Sequence, residues 1–116
     1  MHAPFPSRAA IDIAASNLAL KARQRGVAIN RLEFVTTSEP WDTSLGVLIS
    51  YDTDAELERR NADGTSDALK NEFKDELERS GSVLRFERMP ENISFDFESH
   101  ENVIRNYHGS YFLRLR

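Results

Sequence analysis

The stretch FDFESHE packs Asp96, Glu98, His100 and Glu101 into six residues, three carboxylates and an imidazole together. Asp96 and Glu98 lie two apart, so a strand turns both to one face. Neighbouring carboxylates raise one another's proton affinity, and an imidazole titrates near neutrality; together they could do acid–base chemistry. A plainer use competes with that. Both carboxylates can be the solvent half of an amphipathic strand, facing Arg85 across a hairpin. A small acid–base enzyme using Asp96, Glu98 and His100, which requires the three groups to converge, and a non-catalytic regulatory module that binds another protein are therefore the alternatives to weigh.

Other chemistries have less to work with. Cysteine is absent, which excludes disulfides and thiolate catalysis. The histidines are His2, His100 and His108, and no spacing among them matches a zinc motif. No serine sits in a G-x-S-x-G turn, and the five glycines are scattered singly, without a phosphate loop. No metal and no cofactor are expected. Phe95, Phe97, Tyr111 and Phe112 could stack on bases only from an exposed basic sheet, and the acidic balance argues against nucleic acid.

That balance is a net charge of −4, unevenly spread. Residues 39–78 hold twelve Asp and Glu against four Lys and Arg, a net −8, while the flanking thirds come to +3 and +1. Such a block is either a solvated helix face or a surface that draws in a basic partner. At 116 residues, 40% hydrophobic and 29% charged, the chain is expected to form one domain over 1–116. The lack of cysteine suits a reducing compartment, and no stretch approaches the ~20 apolar residues of a membrane span, so a cytoplasmic location is expected.

The elements that must position these groups follow from periodicity. Ile11, Ala14, Ala15, Leu18 and Ala22 mark a first helix capped by Ser7 and stopped at Gly26. RLEFVTT and SLGVLISY alternate as strands and predict a hairpin across SEPWDT, the second strand central because Leu48 is apolar on its other face. Thr53 and Glu56 form a capping box for a second helix, and Gly64 breaks it. Thr65 or Ser66 caps the next, with Leu69, Phe73 and Leu77 as its narrow stripe. SVLRFER and NISFDFE predict a second hairpin through MPEN. Ser99 caps a short helix ended by Gly109, and SYFLRLR alternates Tyr111, Leu113 and Leu115 as a last strand, with Arg114 and Arg116 pairing with the sheet's own carboxylates. The expected fold is α+β, an antiparallel or mixed sheet of about five strands with helices packed on it, in the order α-β-β-α-β-β-α-β.

The tail ISFDFESHENVIRNYHGSYFLRLR resembles the C-terminal segment of immunity proteins from bacterial contact-dependent growth inhibition and related polymorphic toxin systems. The matching residues are Phe95, Asp96, Glu101, Asn102, Val103, Asn106, Tyr107, Gly109, Tyr111, Phe112, Arg114, Leu115 and Arg116, about the last quarter of the chain. The resemblance implies a non-enzymatic cytoplasmic inhibitor that binds the toxic C-terminal domain of its cognate, a basic nuclease, and touches neither nucleic acid nor membrane. On that reading the acidic block supplies the toxin-binding residues: Asp52, Asp54, Glu56 and Glu58, with Trp41 and Asp42 in the preceding loop. The tail itself can be shared because it builds the fold.

Overall fold

The computed structural model describes residues 8–36, 44–84 and 92–115. Its elements are α1 (Arg8–Gln24), β1 (Arg31–Thr36), β2 (Ser44–Tyr51), α2 (Asp54–Ala62), α3 (Thr65–Leu84), β3 (Asn92–Ser99), α4 (His100–Tyr107) and α5 (Tyr111–Arg114). The class is α+β, and the described sheet has three strands in the order β1-β2-β3. β1 and β2 pair antiparallel, Arg31 opposite Ser50 and Thr36 opposite Leu45, as the hairpin pattern predicts. β2 and β3 run parallel, Leu48 beside Asp96 and Ser50 beside Glu98, so the sheet is mixed, with α2 and α3 forming the crossover.

One sheet face is apolar and carries the main core. Leu45, Val47, Ile49 and Tyr51 of β2 pack with Ile11, Ala14, Leu18 and Ala22 of α1 and with Leu69, Phe73 and Leu77 of α3. Phe73 stacks on Phe34 at 5.8 Å and meets Phe95 edge-on at 5.9 Å, tying one helix to two strands. Along the seam between the helices, Lys21 and Asn17 both reach Glu76, and Arg25 grips Glu72. The Glu76 carboxyl is held below the ordinary glutamate range, first by the hydrogen bond from Lys21.

Two expected strands are corrected. Val83 and Leu84 lie in the last turn of α3 and not in a strand; residues 85–91, including Arg85, fall outside the described residues, and NISFDFE forms β3, which pairs parallel with β2. The C-terminal segment is helical. Ser110 caps α5, its Oγ accepting the Leu113 N–H at 3.2 Å. Tyr111, Leu113 and Leu115 alternate, but Tyr111 and Leu115 are also four apart. A helical turn puts both on the cluster around Leu48 and swings Leu113 outward. The alternation was a subset of a helical pattern.

Two of the expected caps hold, and two details change: the Glu56 side chain and the start of α3, where Thr65 is already helical. Thr53 starts α2 and Ser99 starts α4, each accepting from the N–H three residues on at 3.1 Å. The Glu56 side chain does not close the capping box; it turns to Arg59 and Arg60. At α3 the bond to the Thr65 N–H comes from Asp63 Oδ1, at 2.9 Å, across Gly64, whose φ of +86° suits a residue without a Cβ. Ser7 lies outside the described residues. Among them, no helix is long and apolar enough to cross a membrane.

Candidate functional site

The second sheet face separates the two readings of the chemistry-bearing residues. Leu48 and Ser50 of β2 and Asp96 and Glu98 of β3 all point away from the main core, toward α4 and α5. Glu98 is only 4% exposed, so its carboxylate must be paired. Oε1 accepts from the Ser99 N–H at 2.8 Å and from Asn102 Nδ2 at 3.0 Å, and Oε2 from Arg114 Nε. The same guanidinium donates to Asp96 through Nη2 at 2.6 Å. Arg114 thus spans both carboxylates in the forked geometry arginine favours, and its own pKa is raised, chiefly by the bond to Glu98. The expectation that the tail arginines pair with the sheet's carboxylates holds for Arg114; Arg116 lies outside the described residues.

His100 turns elsewhere. Its Nδ1 lies 3.0 Å from the Tyr111 hydroxyl and its ring stacks on the tyrosine at 5.9 Å. The same hydroxyl sits 2.7 Å from the Oγ of fully buried Ser50, and the Arg31 guanidinium lies 4.5 Å over the Tyr111 ring. So Asp96 and Glu98 converge on Arg114 while His100 pairs with Tyr111. No hydrogen bond joins the imidazole to either carboxylate, and the convergence that the acid–base alternative requires does not form.

The expected partner-binding residues divide three ways. Trp41 and Asp42 lie outside the described residues. Asp52, Asp54 and Glu56 are engaged within the fold. Asp52 Oδ1 accepts from Asn30 Nδ2 at 2.7 Å, and Asp54 accepts from Ser99 Oγ and, at 2.9 Å, from Arg105. The Asp54 carboxyl is held below its usual range by the Ser99 bond first and Arg105 second. Glu56 is lowered likewise, by Arg59 and then Arg60. Glu58 is exposed and makes no ion pair among the described residues.

Sequence reasoning missed the carboxylates that remain outward on α3. Glu72 and Glu76 face α1, but Asp67, Asn71, Asp75 and Glu78 follow one another at helical spacing on the opposite side, all exposed. Asp75 and Glu78 make no ion pair, and Asp67 only a 3.5 Å contact with Lys70. The signal was available: a buried stripe at Leu69, Phe73 and Leu77 fixes which positions point away from it. Among the described residues no group of three His, Asp or Glu is arranged to hold a metal ion.

No protein-family model matches the chain, and neither does any curated protein or solved structure. Most of the tail residues that carry the resemblance work internally in this fold; Phe112 is 73% exposed and Arg116 lies outside the described residues. Glu101 accepts from the Asp54 N–H at 2.8 Å, Asn102 holds Glu98, and Val103, Tyr107 and Tyr111 cover Leu48. His108 takes a left-handed backbone at φ 54°, followed by Gly109 at φ 78°, which ends α4 and starts the turn into α5.

Proposed function

We propose that this protein is an immunity-type inhibitor that binds the toxic C-terminal domain of a cognate contact-dependent inhibition toxin in the cytoplasm and blocks it without chemistry of its own. The observation that carries this reading is the division of labour among its charges. Most of the tail residues that resemble the family are spent on holding the fold, whereas Glu58, Asp75 and Glu78 on α2 and α3 are exposed and make no ion pair among the described residues. Unpaired surface carboxylates steer a basic partner and need no rearrangement to meet it. A basic nuclease domain has the complementary field, and masking its nucleic-acid surface is enough to neutralise it.

The test is coexpression with the C-terminal domain encoded immediately upstream, followed by pull-down and a nuclease-protection assay. A stable complex that abolishes nuclease activity supports the proposal; no complex, with the upstream gene encoding no toxin, overturns it. Within such a complex, reversing Glu58, Asp75 and Glu78 to lysine together should slow association about tenfold at low salt, because exposed charges act mainly on the on-rate. An unchanged, salt-indifferent on-rate would move the interface elsewhere.

A further inference from the structure

Beside the α1–β1 connection lies a groove of about 280 Å³, lined by Ala19, Leu20 and Arg23 of α1 and by Ala28 and Ile29. Its wall carries an apolar side chain left largely in water, Leu20 at 57% exposed. Two further features set it apart. Every other arginine whose side chain is described, seven in all, pairs with a carboxylate, yet Arg23 has no ion-pair partner among the described residues. The connector is also polar and unpaired at this point. The Val27 N–H bonds Ala22 O at 2.8 Å and the Asn30 N–H bonds Ser50 O at 2.7 Å, but between them the N–H groups of Ala28 and Ile29 have no acceptor among the described residues.

A free guanidinium, two free main-chain donors and an aliphatic wall together suit one ligand chemistry. We propose that this groove docks the carboxyl-terminal end of a partner polypeptide that finishes on an aliphatic residue. The terminal side chain lies against Leu20 and Ile29, the carboxylate meets Arg23, and the Ala28 and Ile29 N–H groups take main-chain oxygens. β1 continues directly from this connector at the edge of the described sheet, so an extended peptide can run on along it. A fatty carboxylate would use the arginine and the apolar wall but leave the amides unpaired, which favours the peptide. The site is separate from the acidic faces of α2 and α3 and does not depend on the toxin-binding proposal.

The experiment titrates the tetrapeptide acetyl-GSLV, carrying a free carboxyl terminus, into the ¹⁵N-labelled full chain. Amide shifts confined to Leu20, Arg23, Ala28, Ile29 and their neighbours are expected. The same peptide amidated at its end, and the R23Q variant with the free peptide, should each bind about tenfold more weakly, the loss of one charge-assisted contact. Arg23 is exposed, so R23Q should keep its fold, and the same spectrum reports that directly. No shifts at millimolar peptide, or equal binding by the amidated form or by R23Q, overturns the proposal. Sodium octanoate binding more tightly than the peptide overturns the assignment to a polypeptide end.

Discussion

The two faces of β2 are built from the same strand and held by opposite means. Toward α1 and α3, Leu45, Val47, Ile49 and Tyr51 meet a continuous apolar wall, with the Tyr51 hydroxyl paired to Ser66 at 2.9 Å. Toward α4 and α5, Leu48 sits in a small apolar cluster with Val103 and Tyr111, bordered by two separate hydrogen-bonded groups, Ser50–Tyr111–His100 and Glu98–Arg114. The first face gains stability by removing area from water and tolerates imperfect geometry. The second must satisfy every buried polar atom or lose several kcal/mol at one point. None of its described buried side-chain polar atoms is left without a partner. A face of the first kind can be recognised from residue types alone; one of the second kind exists only as a set of distances.

That contrast can be broken in order of expected effect. Phe73→Ala should cost about 3–5 kcal/mol in urea unfolding, because it empties the ring packed against both Phe34 and Phe95. A loss below about 1 kcal/mol would mean that the apolar face is loosely packed. Arg114→Met should cost about 3 kcal/mol by leaving Glu98 buried and unpaired, and Glu98→Gln on top of it should return part of that loss. A neutral Arg114→Met would show that α5 is anchored by packing alone.

Acid should act on the ionic contacts before the apolar face. Glu76, Asp54, Glu56 and Asp63 all have carboxyls lowered in the folded state, so the folded protein binds protons less readily than the unfolded chain. Their contribution is full above the ordinary carboxylate range, about pH 5, and is lost as pH falls through the depressed folded values. Urea midpoints should therefore drop below about pH 4, and Glu76→Gln should flatten that drop; an unaltered pH profile would assign it to other groups. Tyr111→Phe should cost about 1 kcal/mol, the net worth of the hydroxyl shared with Ser50 and His100. Reversing Asp75 and Glu78 to lysine should change stability by less than about 0.5 kcal/mol, since both are exposed and unpaired.

The legible parts of the fold share one property: each is a local signal, a period or a cap spanning a few residues. The stripes of α1 and α3, the alternation of β1 and β2, the caps at Thr53 and Ser99 and the covered position of Leu48 were all visible in the chain. Two segments are read wrongly: Val83 and Leu84, which extend α3, and the last segment, where Tyr111, Leu113 and Leu115 satisfy a period of two and Tyr111 and Leu115 also satisfy four. Six residues cannot choose between those periods; the cap at Ser110 and the apolar cluster at Leu48 made the choice. Among the expected partner-binding residues that the structure describes, Asp52, Asp54 and Glu56 each accept a side-chain hydrogen bond within the fold, and Glu58 accepts none.

Sequence by itself determined the α+β class, the amphipathic helices and which strand is central, because periodicity and capping act between residues a few positions apart. Tertiary structure alone decided the parallel pairing of β2 with β3, the helical tail and the fate of the acidic groups. Arg105 reaches Asp54 across 51 residues and Arg114 reaches Asp96 across 18. Charges that meet over such separations are brought together by the packing of the chain, and no local pattern records which of them will be neutralised and which will be left facing water.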